Sequence, residues 1–75
     1  MVRVLKSGQK VNFKVDLYRT PIWRIVRAMG ELISVEVHKF RLVFDGERLH
    51  GDDTMADYGI KEGDVILLLI NQTGC

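Results

Sequence analysis

Apolar and polar residues alternate along two stretches near the amino terminus. The first, Val2–Lys6, predicts a strand, and residues 7–9 (Ser-Gly-Gln) have the composition of the turn that follows it. In the second, apolar residues occupy every other position from Val11 to Leu17, which predicts a half-buried strand. Because only a short turn separates them, we expect the two strands to pair as a hairpin.

The spacing of apolar residues changes to that of a helix after Pro21. Thr20 is a favourable N-cap residue, and Pro21 is tolerated at the first helical position because its missing N–H would have no partner within the helix. The predicted apolar stripe consists of Ile22, Ile25, Val26 and Met29. The sequence therefore predicts one amphipathic helix with a single face for packing.

A second hairpin is predicted in the middle of the chain. Phe40–Phe44 has the composition of a strand, Asp45-Gly46 is a strong type I′ turn signal, and a return strand begins over residues 47–49. After a loop at residues 51–53, Thr54 and Asp57 have the spacing of a capping box around a short helical turn. Residues 62–64 (Glu-Gly-Asp) then turn the chain into a last strand.

The last predicted strand, Val65–Ile70, is apolar at every position, as expected for a central strand of a sheet. The helix returns the chain so that this strand can pair in parallel with the first one. One helix laid across a mixed sheet of four to five strands is the α+β arrangement known as the β-grasp. Seventy-five residues without repeats or linkers predict a single domain over residues 1–75.

Composition narrows the class of protein further. Hydrophobic residues make up 47% of the chain, which favours a packed core over disorder. The single cysteine cannot form an internal disulfide, which favours an intracellular protein, and residues 65–70 are too few to span a bilayer. Neither a signal peptide nor a membrane partner is expected.

Charge is divided unevenly between the two halves of the chain. Residues 1–44 contain nine Lys or Arg and three Asp or Glu, whereas residues 45–75 contain two and seven. The predicted molecule is therefore electrically polar, with a basic side suited to acidic partners. Because the basic residues are scattered between apolar ones and the net charge is only +1, no nucleic-acid partner is expected.

No constellation of residues predicts catalysis. His38 and His50 lack metal-ligand spacing to each other or to Cys75, so we expect neither a metal nor another cofactor. A terminal thiol without an adjacent base is a poor nucleophile, and Tyr58 is expected to brace its loop through a hydrogen bond from its hydroxyl to the backbone. The sequence does not predict an enzyme.

Several motifs together resemble the SUMO branch of the ubiquitin-like family. Asn12–Val15 is similar to the second SUMO strand, Phe44–Leu49 to its central hairpin, and residues 63–66 and 72–74 to the end of a SUMO chain. Thr54–Ile60 resembles ubiquitin instead. The motifs occur in the family's order over nearly the whole chain, and these 75 residues are expected to lack the disordered amino-terminal extension of SUMO.

The resemblance implies a groove between the second strand and the helix that accepts a short apolar peptide, the SUMO-interacting motif. The peptide would add a strand to the sheet edge, while Lys14, Arg24 and Arg27 attract acidic residues beside the motif. Aligned on the family, the groove comprises Val11, Asn12, Phe13, Lys14, Val15, Arg24, Ile25 and Met29. The alternative is that its apolar side chains simply belong to the core and that its Lys and Arg side chains form a solvated face. Trp23 departs from the family pattern, because SUMO has a polar residue at that position.

A second candidate surface lies on the last strands. If Ile66 and Leu68 point into the core, Leu67 and Leu69 point outward, beside Val43 of the neighbouring strand. Contiguous exposed apolar residues usually mark a partner, so Val43, Leu67 and Leu69 are predicted to form a protein-docking face. Weak self-association through this face and cover by flanking chain are the alternatives.

The tail, Gln72-Thr73-Gly74-Cys75, resembles the conjugation tail of a protein modifier with Cys75 in place of a second glycine. The resemblance implies partners in the nucleus or cytoplasm: an activating enzyme and a conjugating enzyme that join the tail to lysines by an isopeptide bond. A side chain at Cys75 should obstruct that route, where glycine is permissive. The sequence thus leaves two functions open, a SUMO-like modifier and a non-conjugated SUMO-like interaction domain of a larger protein.

Overall fold

The computed structural model describes residues 1–6 and 8–71, and it contains one helix laid on a five-stranded sheet. The strands are β1 (Val2–Lys6), β2 (Gln9–Phe13), β3 (Phe40–Phe44), β4 (Glu47–Arg48) and β5 (Val65–Ile70), and the helix is α1 (Ile22–Ile33). Two short 3-10 turns, Val37–Lys39 and Met55–Tyr58, complete the described elements. The predicted α+β class and element order are confirmed.

The sheet has the order β2-β1-β5-β3-β4. β5 lies in the centre, parallel to β1 and antiparallel to β3, while β1–β2 and β3–β4 are antiparallel hairpins. This is the predicted β-grasp topology. It leaves β2 and β4 as the two edge strands.

The core lies between α1 and one face of the sheet. Helix α1 buries Ile22, Ile25 and Met29 of the predicted apolar stripe, and its fourth member, Val26, packs half-buried against the core. From the central strand, Ile66 and Leu68 face these side chains and are 0% and 4% exposed. Val2 and Val4 of β1, Phe40 and Leu42 of β3, and Leu49, Met55 and Ile60 of the connecting segments complete the buried core.

Strand β2 is shorter than the alternating pattern predicts. It begins at Gln9 and ends at Phe13, whereas apolar alternation continues to Leu17. The register explains the difference, because Phe13 lies opposite Val2, the first residue of β1, and only Met1 precedes Val2, with its amino group paired to Glu62. The alternation in burial nevertheless persists, since Val15 and Leu17 pack half-buried against the core.

The start of helix α1 also differs from the prediction. Pro21 is the N-cap residue, with an extended backbone (φ −68°, ψ 144°), and the helix begins at Ile22. Thr20 does not cap it. Its hydroxyl oxygen instead accepts a hydrogen bond from the backbone N–H of Asp16 at 3.0 Å.

The loop at residues 51–53 satisfies the first helical N–H groups. Ile22 N–H donates to the carbonyl oxygen of Asp53 at 2.8 Å, and Trp23 N–H donates to that of Gly51 at 3.1 Å. The backbone approach is close, because a Cβ on Gly51 would lie 3.2 Å from the Cβ of Trp23. Helix α1 is therefore capped by a segment about 30 residues away in sequence, a cap without a local signal.

Two local predictions in this half of the chain are confirmed. Asp45 and Gly46 have φ values of 52° and 79°, the pair of positive values that a type I′ turn requires. The capping box is present, with Thr54 N–H donating to the Asp57 carboxylate at 2.8 Å. These features fix the β3–β4 hairpin and the 3-10 turn that follows it.

Tyr58 braces the loop as predicted. Its hydroxyl oxygen accepts a hydrogen bond from the backbone N–H of His50 at 2.8 Å and donates one to the Asp53 carboxylate at 2.7 Å. Partial burial, followed by the hydrogen bond to Asp53, raises the pKa of Tyr58 above its ordinary value. The phenol therefore holds the same loop that caps α1.

Candidate functional site

The edge formed by β2 is the first candidate surface. β2 pairs with β1 on one side only, with Val4 opposite Val11 at the middle of the register. In an antiparallel strand, every second residue of such an edge directs its N–H and C=O away from the sheet. These groups are what an added peptide strand would pair with.

The predicted groove residues divide into two sets. Val11, Phe13 and Val15 are half-buried along the edge, and Asn12 and Lys14 are exposed between them. From the helix, Arg24 is exposed. Ile25 and Met29, however, are 2% and 0% exposed, so the prediction that they line an open groove is wrong. The helix packs closely enough on the sheet that its central stripe lies wholly within the core.

The three cations predicted to attract acidic residues are all exposed, and two have partners within α1. The guanidinium carbon of Arg24 lies 5.7 Å from the ring centroid of Trp23, within range of a cation–π contact. Arg27 Nε lies 4.0 Å from Glu31 Oε1, a solvent-exposed pair that contributes little energy. Trp23 is itself 45% exposed, so this contact lies at the surface of the helix.

Two shallow concavities of about 280 and 320 Å³ lie along α1. Both are lined by Arg27 and Glu31; one extends to Val35 and Val37, and the other to Trp23.

The outer face of the sheet is the second candidate surface. Leu67 and Leu69 are 42% and 39% exposed, as the alternation in β5 predicts, and Val43 is half-buried. Leu67 lies directly opposite Val43, whereas the direct neighbour of Leu69 is Arg41. The predicted docking residues therefore share one face and lie next to one another.

The register extends this face into a row that crosses all five strands. Residues opposite each other in a sheet point to the same side. From β2 to β4 the row is Lys10, Leu5, Leu67, Val43 and Arg48. Arg3 beside Val65 and Arg41 opposite Leu69 flank it. These cations are not among the site residues predicted from the sequence, although alternation within each strand assigns them to the outer face.

This surface has two parts. The apolar centre comprises Leu5, Val43, Val65, Leu67 and Leu69, and the basic rim comprises Arg3, Lys10, Arg41 and Arg48. Arg41 is held in place by a hydrogen bond from its guanidinium to Asn71 Oδ1 at 2.5 Å. Every charged side chain that the register of the described strands places on this face is a cation.

Three further predictions concern the conjugation tail, metal binding and membrane spans. Gln72, Thr73, Gly74 and Cys75 lie outside the described residues. Within residues 1–6 and 8–71, no group of His, Cys, Asp or Glu is arranged to hold a metal ion. The helices found there are too short or too polar to cross a bilayer.

Comparison with known proteins agrees with the fold. A sequence model of the family described as "Ubiquitin-2 like Rad60 SUMO-like" matches residues 4–70. The chain is 29% identical over 69 residues to a small ubiquitin-related modifier of Caenorhabditis elegans, covering 92% of this chain and 75% of the relative. Small ubiquitin-related modifier 3 of Danio rerio and small ubiquitin-related modifier 2 of Homo sapiens are also 29% identical to the chain over 69 residues. Each match covers 92% of this chain and 72% of the relative.

The family match spans the helix and every described strand apart from the first two residues of β1, and it includes both candidate surfaces except Arg3. The β-grasp topology and the motifs noted in the sequence point the same way. The chain is a member of the SUMO-like domains of the ubiquitin-like family.

Proposed function

We propose that this domain acts as a SUMO-like protein modifier that binds other proteins through the β2 edge. The observation that carries the proposal is this open edge, with Val11, Phe13 and Val15 half-buried beside exposed Lys14 and Arg24. An extended apolar peptide would pair with the β2 backbone and place alternate side chains against these residues. Acidic residues of the peptide would contact the two cations.

This binding mode predicts a local response in nuclear magnetic resonance spectra. On titration with an apolar peptide carrying flanking Asp or Glu residues, amide shifts should change along residues 11–15 and at Arg24. Lys14→Glu should weaken binding several-fold because it opposes the acidic flank, whereas Lys39→Glu, an exposed cation outside the groove, should not. Shift changes that spare β2 altogether would contradict the groove.

Conjugation is the second part of the proposal. An activating enzyme would adenylate the terminal carboxylate, and the acyl group would pass as a thioester to a conjugating enzyme and then to a lysine amine. Glycine suits such a tail because it lacks a Cβ and adopts backbone angles closed to other residues. In this sequence the residue after Gly74 is Cys75 instead of a second glycine.

Incubation with SUMO-activating enzyme, conjugating enzyme and ATP tests conjugation directly. We expect the Cys75→Gly variant to form a thioester that is visible on a non-reducing gel and lost on reduction, and the parent chain to form little or none. That result would show that the scaffold is recognised and that Cys75 impairs transfer.

A non-conjugated interaction domain is the alternative, and Cys75 together with the exposed Leu67 and Leu69 favours it. Such a domain keeps the β-grasp and its docking surfaces without a functional tail. If neither chain forms a thioester while the peptide titration still shifts β2, the interaction domain is the correct assignment.

A further inference from the structure

The side of α1 that faces away from the sheet carries a row of four residues at helical spacing. Trp23, Arg27 and Glu31 lie four positions apart, so they follow one another along the surface of the helix, and Val35 continues the row just beyond the helix end. The first three are exposed, and Val35 is half-buried. This α1 row therefore has an apolar side chain at each end and a charged pair in the middle.

The order of charges along α1 is unfavourable for the helix by itself. Its charged residues are Arg24, Arg27 and Glu31. Both cations lie toward the positive amino end of the helix dipole, and the anion lies in the last turn, at the negative end. A cation four residues before an anion is also the weaker order for a pair within one helix, and the exposed Arg27–Glu31 pair, at 4.0 Å, contributes little. The charge order of α1 thus has no local explanation.

A second copy of the chain supplies the missing complement. Arg27 and Glu31 lie two positions on either side of Met29. Trp23 and Val35 lie six positions on either side, so the α1 row is symmetric about this level. A two-fold axis here would place two helices side by side and antiparallel, with each residue of the row opposite its counterpart in the other copy. Arg27 of each copy would then lie beside Glu31 of the other, and the two helix dipoles would oppose each other favourably.

The carboxyl end of the row is a recess suited to an indole ring. A concavity of about 280 Å³ is lined there by Val35 and Val37, and Val37 is 50% exposed. In the antiparallel arrangement, Trp23 of the second copy lies opposite Val35, where its ring covers this apolar surface. Aromatic side chains bury about 150–250 Å² each and dominate the energetics of interfaces. Two such contacts, one at each end of the row, would hold the pair of helices in register.

Other occupants fit this side of α1 less well. Glu31 and Glu36 line the same recess, which disfavours the phosphates of a nucleic acid. An extended peptide would find no free backbone groups along the helix, because these groups are paired within it. A helix of another protein would have to reproduce the charge order that the chain itself already provides.

We propose that two copies of this chain associate through their α1 rows, antiparallel about a two-fold axis near Met29. Trp23 of each copy packs in the recess of the other, and two Arg27–Glu31 pairs form between the copies. The 12 residues of α1 span about 18 Å, so the interface is small and the dimer is weak and reversible. The inference does not depend on the proposed function, because it uses neither the β2 edge nor the tail.

A dimer of this kind changes how the domain meets its partners. The outer face of each sheet lies on the side opposite α1, so pairing through α1 leaves both outer faces uncovered. A partner with two linked binding segments would engage both copies, and its apparent affinity would exceed that of a single segment. Association through α1 would therefore set the valency of the domain without competing for the outer face.

Sedimentation equilibrium from micromolar to millimolar concentration tests whether the dimer exists. A reducing agent in the buffer prevents cross-linking of two chains through Cys75. We expect a reversible monomer–dimer equilibrium, accompanied by a shift to shorter wavelength in the fluorescence of Trp23, the single tryptophan of the chain. A chain that stays monomeric at millimolar concentration would overturn the proposal.

Charge reversal tests the place and direction of pairing. Arg27→Glu alone and Glu31→Arg alone each put like charges opposite one another, so each should weaken the dimer at least tenfold. An equal mixture of the two variants should form a heterodimer within threefold of the parent affinity, because every introduced charge then faces its opposite. The double variant should pair with itself for the same reason. Failure of both the mixture and the double variant to restore dimerisation would refute the antiparallel arrangement.

Matched variants control for net charge and for loss of apolar surface. Arg48→Glu and Glu47→Arg make the same charge changes on β4, and each should dimerise within threefold of the parent chain. Trp23→Ala should weaken the dimer at least tenfold, whereas Leu32→Ala, at a side chain 62% exposed on another side of α1, should change it less than threefold. Equal losses in test and control variants, all shown to be folded by circular dichroism, would exclude the α1 interface.

Discussion

Replacing Ile66 with alanine should lower the free energy of unfolding by about 3–4 kcal/mol, within the range for large-to-small substitutions in a packed core. Ile66 is 0% exposed and lies in the central strand, between β1 and β3 and beneath α1. Deletion of its side chain removes buried apolar surface and leaves a cavity that the close-packed neighbours can only partly fill. A domain of this size has about 4–11 kcal/mol of total stability, so the variant should be close to unfolding at 37 °C.

Urea unfolding followed by circular dichroism measures the loss, and the chain supplies its own controls. Leu67→Ala changes the adjacent residue of the same strand, but that side chain is 42% exposed, so we expect a loss below about 1 kcal/mol. Ile66→Val removes one methylene group and should cost about 0.5–1.5 kcal/mol. Similar losses for Ile66→Ala and Leu67→Ala would contradict the assignment of inner and outer faces.

Replacing Tyr58 with phenylalanine should cost about 1–2 kcal/mol, because it deletes one hydroxyl that makes two hydrogen bonds. His50 N–H and the Asp53 carboxylate lose their partner in the folded protein. Tyr18→Phe is the matched control, since Tyr18 is 79% exposed, and it should leave stability unchanged within about 0.5 kcal/mol. Equal losses of stability in the two variants would show that the hydrogen bonds of the Tyr58 hydroxyl do not stabilise the fold.

The raised pKa of Tyr58 predicts that the parent chain and the Tyr58→Phe variant differ in how their stability depends on alkaline pH. The pKa of Tyr58 is raised in the folded protein, so its stabilising contribution is present below the ordinary tyrosine pKa and is lost as pH rises through the folded value. Above about pH 10, the free energy of unfolding of the parent chain should fall more steeply with pH than that of Tyr58→Phe. Tyr18→Phe should follow the parent, and parallel curves for all three chains would contradict the shift.

Much of the fold follows from local patterns in the sequence. The β3–β4 hairpin is predictable because Asp45-Gly46 favours positive φ at both positions, and the capping box because Thr54 and Asp57 are three residues apart. β5 is predictable as a central strand because it is apolar throughout. In each case the residues that determine the structure lie within the element itself.

The features that the sequence does not predict depend on distant residues. β2 ends at Phe13 because β1 begins at Val2, and α1 is capped by residues 51–53 rather than by Thr20. Likewise, helical spacing identifies Ile25 and Met29 as apolar but cannot show how closely the helix packs on the sheet. Alternation within each strand assigns the cations of the basic rim to the outer face, but only the register of the five strands shows which of them lie side by side.

The strand order also bears on how the domain forms during synthesis. The β1–β2 and β3–β4 hairpins lie on opposite sides of β5 and do not pair with each other. A nascent chain can therefore close each hairpin early, but it cannot join them until β5, the last of the strands to be translated, has emerged from the ribosome. Because the joining strand is the last of the five and its contacts are far apart in sequence, we expect cooperative folding of the domain to begin only once β5 has emerged.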